Sequence, residues 1–180
     1  MDSTDLQQRL LALETRLLRL EDTEAIRALK CEHALASDDP VHLRERLLAI
    51  VTDDIELDYG AEFGCHRGKD TLARLLENTP FAWTFHCMIP KRIDLAPDGR
   101  TATGIWYLWE PAVTAPTDGS TPQAVWLAGV YQDTYRKQAD GRWLIARLAL
   151  ETRLMAPYET GWAQRRIATA QSAWADAAHA

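Results

Sequence analysis

No apolar stretch in this chain is long enough to span a bilayer, which takes roughly 20 residues in a helix. The N-terminus, MDSTDLQQRL, carries an acid at its second residue and has no uninterrupted apolar core, so it does not read as a secretory signal. Basic residues do not dominate. Twenty Lys and Arg against 26 Asp and Glu give a net charge of −6 with no basic run, which excludes nucleic acid as a partner. Cysteine is scarce: Cys31, Cys65 and Cys87 are scattered and odd in number. That excludes a disulfide framework and suits reduced thiols, so the expected compartment is the cytoplasm. There is no glycine-rich phosphate loop, and His42 and His66 have no partners at metal-ligand spacing. No organic cofactor and no metal is implied.

The sequence does contain a core and an unusual number of tryptophans. A length of 180 residues suits one compact domain plus an extra element, enough to bury a hydrophobic core without staples. Seven tryptophans in that length either fill the core or line a pocket for a flat apolar ligand. Leu6, Leu10, Leu13, Leu17 and Leu20 repeat at alternating spacings of four and three, an a/d seam flanked by Arg9, Glu14, Arg16 and Arg19. Such a seam packs along a neighbouring subunit or along its own domain. Glu21, Asp22 and Thr23 can interrupt this helix and cap the next. The division expected is an N-terminal leucine-seam helix over 1–21, the main domain over 22–162 and a helical tail over 163–180.

The stretch Ile26 to Asp39 reads as an amphipathic helix with Ile26, Leu29, His33 and Ala36 on one face. Pro40 disfavours helix at Asp39. His33 and Asp38 are five residues apart, so a regular helix would set them roughly 140° apart, and they share a cavity only if the helix has ended by Asp38. A further helix is expected over His42 to Val51. Ile55, Leu57 and Tyr59 alternate with acids as a strand, Gly60 and Gly64 bracket a hairpin-like reversal, and Cys65 to Arg67 returns. Gly68 to Thr71 opens a short helix with Leu72, Leu75 and Leu76 on its buried side. The remainder reads as β: one strand from Thr84 to Leu95, bent near Pro90, then Thr101 to Glu110, Ala124 to Tyr135 and Trp143 to Arg153, the last two joined by an Asp140-Gly141 turn. An Ala-rich helix is expected from Tyr158 to His179. Helices first and a long antiparallel meander after them make an α+β fold, a strongly curved sheet wrapped on the N-terminal helices. Its open mouth is the natural ligand site.

Four strings resemble the SnoaL-like group of the NTF2-like superfamily: LEDTEAIRALK before His33, TATGIWYL, VYQDTYRK and DGRW. The similarity runs from about Leu6 to Trp162. The chain resembles bacterial bile acid 7α-dehydratases and, more distantly, lindane dehydrochlorinase and scytalone dehydratase. The resemblance implies an NTF2-like (cystatin-like), cone-shaped α+β barrel. It also implies that Asp38, at the end of the second helix, orients His86 as general base. The residues alone favour a core histidine and a turn aspartate; the resemblance reverses that. A carboxylate bonded to one imidazole nitrogen fixes the tautomer and raises the basicity of the other. His33 falls where the bile acid enzymes carry Tyr and the dehydrochlorinase carries Lys, so the resemblance marks it as a position where the reaction is tuned. Glu110 falls where the bile acid enzymes carry Asp, and shares a strand face with Trp106 and Leu108. Arg153 lies one residue late relative to a family arginine. A β-bulge would restore it, and Arg147 on the same face is the fallback. Trp83, Trp106, Trp109 and Trp126, with Leu108 and Tyr59, are the expected pocket wall. Cys87 adjoins His86, but alternation sends it to the other face and excludes a Cys–His nucleophile.

The function expected on this basis is a cofactor-independent lyase of the dehydratase type. It would act on a small hydrophobic cyclic substrate such as a steroid, terpenoid or polyketide. An isomerase or polyketide cyclase uses the same proton abstraction, and a non-catalytic NTF2-like binding or assembly subunit is the third reading. A homo-oligomer is expected; the relatives suggest a trimer, and the leucine seam is compatible with a dimer.

Overall fold

The computed structural model describes residues 3–116 and 121–167, the side chains of Ala61 and Glu62 apart. It opens with one helix, α1 (Ser3–Ser37), followed by α2 (Leu43–Ala49), β1 (Val51–Asp58), α3 (Gly60–Phe63), β2 (Cys65–Arg67) and α4 (Lys69–Glu77). The β half follows: β3 (Phe81–Thr84), β4 (Cys87–Leu95), β5 (Thr101–Thr114), β6 (Ala124–Lys137) and β7 (Trp143–Pro157). One sheet takes all seven strands in the order β2-β1-β7-β6-β5-β3, with β4 also on β5. The helices lie over its concave side and close a cone, so the NTF2-like α+β fold stands.

Alternation sets the core. Along β5, Ala102, Gly104, Trp106, Leu108, Glu110 and Ala112 all turn inward and are buried. Each faces an inward residue of β6, with Trp106 opposite Tyr131 and Glu110 opposite Leu127. On α1 the buried residues are Ile26, Lys30, His33 and Ala36, one stripe at helical spacing.

Four expectations are corrected. α1 does not break at Glu21–Thr23, so the boundary drawn there falls inside a helix. Asp22 does not cap; it accepts bonds from Lys137 Nζ at 2.6 Å and Trp143 Nε1 at 2.8 Å, while Thr23 bonds back to the Arg19 carbonyl. The reversal expected at Gly60–Gly64 is there, with β2 antiparallel to β1, and the short α3 fills its turn. The sheet is mixed, because β1 runs parallel to β7. Tyr158 to Ile167 forms turns and a bridge from Ile167 to Met155 instead of helix, and the rest of the tail expected there lies outside the described residues. The strand expected over Thr84–Leu95 is two strands on the same edge of β5, parted at Phe85 and His86.

That parting has a cause in the sequence of the partner strand. Thr84 faces Ala112 and Cys87 faces Trp109, so Phe85 stands opposite Pro111 and His86 opposite Glu110. Phe85 donates its N–H to the Pro111 carbonyl at 3.1 Å, but proline has no N–H to return. The ladder therefore lapses where His86 must leave it.

Beneath α1 lies a buried charge pair. Lys30 Nζ sits 2.8 Å from Asp133 Oδ2 with both side chains 0 % exposed. Tyr135 donates to the same carboxylate and Trp106 Nε1 donates to Tyr135. Burial drives Lys30 down and Asp133 up from their usual values, and their attraction opposes both shifts. Removing one member leaves an uncompensated charge, so Lys30→Met is expected to cost roughly 3–5 kcal/mol of stability by urea denaturation. Lys30→Met with Asp133→Leu should recover most of that loss; a double variant as unstable as the single one contradicts this reading.

Candidate active site

α1 ends at Ser37, and Asp38 follows directly, bonded to the Ala34 carbonyl at 3.1 Å. Because the helix has finished, Asp38 can turn toward the cavity that His33 borders. Its carboxylate collects three donors. His86 Nδ1 is 2.6 Å from Oδ1, the His86 backbone N–H donates to Oδ2 at 2.8 Å, and the Thr84 hydroxyl donates to Oδ1 at 3.0 Å. Burial alone would raise the Asp38 carboxyl. The side-chain and backbone bonds from His86 and the bond from Thr84 outweigh that and hold it below the usual range. An ionised carboxylate can only accept, so Nδ1 carries the proton and the neutral ring presents a bare Nε2.

Nε2 points at Glu110, 3.4 Å from its Oε2. The pairing of β4 and β5 explains the approach, since side chains opposite one another at a non-hydrogen-bonded position come close. Glu110 is 3 % exposed. Burial pushes its carboxyl up to about 7, against the lowering effect of His86 and with that of the Asp38 charge. It is therefore held in part as an acid at neutral pH.

A cavity of about 350 Å³ opens onto this pair. His33, Tyr59, Tyr131 and Thr152 add polar groups to walls made largely by Leu43, Leu72, Phe81, Trp83, Leu148 and Leu150. The His33 ring meets Tyr131 edge-on at 5.7 Å and His86 at 6.5 Å. Burial first, then the Lys30 charge and the neighbouring His86, push His33 well below its ordinary value, so it is a neutral imidazole. Its Nδ1 and the Thr152 hydroxyl have no hydrogen-bond partner among the described residues. Burial, with the Asp133 and Glu110 charges, also raises Tyr59, which stays a phenol.

The SnoaL-like domain profile matches residues 18–149, well over half of the chain. The chain belongs to the SnoaL-like family. No curated protein sequence matches it. Among solved structures this SnoaL-like chain is similar to LinA (23 % identity, 85 % of this chain and 97 % of that one, TM-score 0.68). It is also similar to hexachlorocyclohexane dehydrochlorinase LinA-type3 from Novosphingobium barchaimii LL02 (21 %, 85 % and 98 %, TM-score 0.67). A third is a protein from Novosphingobium aromaticivorans DSM 12444, provisionally described as a scytalone dehydratase (23 %, 87 % and 95 %, TM-score 0.65). At these identities the likenesses establish the fold.

Of the residues singled out from sequence, the SnoaL-like cavity brings together His33, Asp38, His86, Glu110, Tyr59 and Trp83. The others lie elsewhere. Arg153 is exposed and pairs with Glu151 at 3.0 Å. The bulge invoked for it exists, since Gly129 faces Thr152 and Ala128 faces Leu154, but it leaves Arg153 as the extra, outward residue. Arg147 is tied to Asp58 at 2.7 Å and does not line the cavity either. Trp106 and Leu108 turn inward as expected but are core: the Trp106 indole is spent on Tyr135. Trp126 stacks on Trp109 at 5.2 Å, away from the cavity, beside Trp162. Thr84, Thr152, Tyr131 and the Lys30–Asp133 pair were missed. Their signal was present: Lys30 falls on the Ile26–His33 face, and Tyr131 and Asp133 alternate with Tyr135 on β6.

The raised Glu110 value predicts a pH-dependent stability. An acid whose folded value lies near 7 and whose ordinary value is 4.5 favours the fold below the ordinary value, and that contribution is lost as pH rises through about 7. Glu110→Gln removes the titration. Its stability relative to the native chain is expected to gain roughly 3 kcal/mol between pH 4.5 and 8 in urea melts. A flat difference would place Glu110 in contact with water.

Proposed function

We propose that this protein is a cofactor-independent lyase that eliminates water, or another leaving group, from a compact hydrophobic cyclic substrate of the steroid, terpenoid or polyketide kind. The observation that carries the reading is one cavity wall bearing both halves of an elimination. His86 Nε2 is the base, held by Asp38, and Glu110 is the acid 3.4 Å away. The base removes a proton from the carbon next to an electron-withdrawing group. Glu110 protonates the departing oxygen on the adjacent carbon. With acid and base this close, the proton and the leaving group depart from the same face of the substrate. His33 and Thr152, which line the cavity and each carry a buried polar atom with no partner among the described residues, orient the carbonyl or hydroxyl that stabilises the developing enolate. A volume of about 350 Å³, at the lower end of the range for small-molecule sites, suits a fused or substituted ring system. The dehydrochlorinase and dehydratase names among its structural neighbours agree in reaction type.

The same pair could return the proton to the substrate, which would make the protein an isomerase or cyclase; Glu110 beside Nε2 gives that route its relay. Candidate cyclic β-hydroxy ketones and β,γ-unsaturated ketones, incubated with the protein and analysed by mass spectrometry and ultraviolet absorbance, decide between the two. Elimination predicts loss of the leaving group; unchanged mass with a shifted double bond indicates isomerisation. His86→Ala and Asp38→Asn should lower kcat by about 10²–10⁴, while Arg153→Ala should leave it unchanged. Full activity in both site variants sinks the catalytic reading.

A further inference from the structure

α1 has two ends with different surroundings. Its C-terminal half is locked into the core through Ile26, Lys30, His33 and Ala36, and Asp22 is tied to β6 and β7 by Lys137 and Trp143. Farther toward the N-terminus, Leu6, Leu10, Leu13, Leu17 and Leu20 are each at least 56 % exposed. At about 100° per residue, these five leucines centre about 180° from the face formed by Asp22, Ile26, Leu29, Lys30 and His33. A helix that buries the second face in its own core must turn the first away from it. Leu11 and Leu18, also exposed, lie on the core-facing side and are not part of this seam.

We propose that the seam docks on the same seam of a second copy of this chain, the two α1 helices running parallel and in register as a two-stranded coiled coil. The proposal is independent of the catalytic reading. Charge complementarity selects both the partner and the direction. With Leu10 and Leu17 at a and Leu6, Leu13 and Leu20 at d, Arg9 and Arg16 occupy g, and Glu14 and Glu21 occupy e. In a parallel pair each g residue faces the e residue of the partner five positions on. Arg9 then meets Glu14 of the partner subunit and Arg16 meets Glu21 of the partner subunit, twice over by symmetry. An antiparallel pair would set arginine against arginine and glutamate against glutamate. The four charged side chains are exposed and stand where the pairing needs them.

The seam also stops where it should. The next a and d positions are Glu24 and Arg27, which pair with each other at 3.0 Å within the chain, just where the helix meets its own domain. From Leu6 to Leu20 the seam rises about 21 Å. That is short for an isolated coiled coil, whose cost lies in nucleating helix. Here the core has already nucleated a helix of 35 residues, and the seam is its extension.

Leu6→Cys in a Cys31→Ser, Cys65→Ser background tests the geometry. A parallel, in-register pair sets residue 6 beside its own copy; an antiparallel pair sets it beside Leu20. Mild oxidation should give disulfide-linked pairs, and adding Leu10→Glu with Leu17→Glu should abolish them. In sedimentation, Leu10→Glu with Leu17→Glu in the native chain should lower the particle mass, with the thermal transition of the domain retained because both leucines are exposed. Arg9→Glu with Arg16→Glu should weaken association at least tenfold, and adding Glu14→Arg with Glu21→Arg should restore it. Absence of the cross-link, an unchanged mass in the double-glutamate variant, or failure of the charge swap to restore association overturns the proposal.

Discussion

The Asp38 carboxylate joins three features that would otherwise be unrelated: the end of a long helix, a gap in a strand and the orientation of a base. Two of its donors come from one residue, His86, through the ring and through the backbone N–H. The backbone bond matters as much as the ring bond. His86 stands in the gap between β3 and β4, where its N–H has no strand partner, and an amide left without a partner away from water costs roughly 1–3 kcal/mol. Asp38 takes that amide, so the departure of His86 from the sheet is stabilised by the same carboxylate that fixes its ring. The site and the fold thus depend on one side chain.

The second layer of the design is what lies under the cavity. Lys30 stands one helical turn before His33, over the Tyr131 ring at 3.6 Å, and is paired with Asp133. Burial, with a cation this close, keeps His33 neutral, while burial and the Asp38 charge keep Glu110 partly protonated. Environment, more than residue type, separates the roles: one histidine is bonded to a carboxylate, the other is held against a cation and a phenol. One acid, Asp38, is stripped of its proton by three donors, and the other, Glu110, is denied water.

Much of this was legible in the chain. The helical face through Ile26 and His33, the alternation of β5, and the turn at Asp140-Gly141 follow from spacing and turn chemistry. The pairing of Asp38 with His86 was implied by resemblance, and the helix end at Ser37 is what allows it. Other features were hidden for physical reasons. Alternation tells which face of a strand Trp106 occupies but not how deep along the cone it lies, so a core tryptophan was read as pocket wall. Trp109 and Trp126 are on the outward register of their strands, where aromatic character had outweighed parity. Glu21, Asp22 and Thr23 look like a helix stop until the partners of Asp22 on β6 and β7 are known. The parallel closure of β1 on β7 joins residues about ninety positions apart and leaves no local trace. Lys30 and Asp133 stood on inward positions in plain view, but a buried ion pair can be read from sequence only by pairing two elements a hundred residues apart.

The central claim is that Asp38 holds the proton on Nδ1 of His86 and leaves Nε2 bare toward the cavity. Nitrogen-15 NMR of selectively labelled histidine reads this directly. The account predicts that neutral His86 is the Nδ1–H tautomer in the native chain and loses that preference in Asp38→Asn. A neutral His86 protonated on Nε2 in the native chain would contradict it, because no base would then face the substrate.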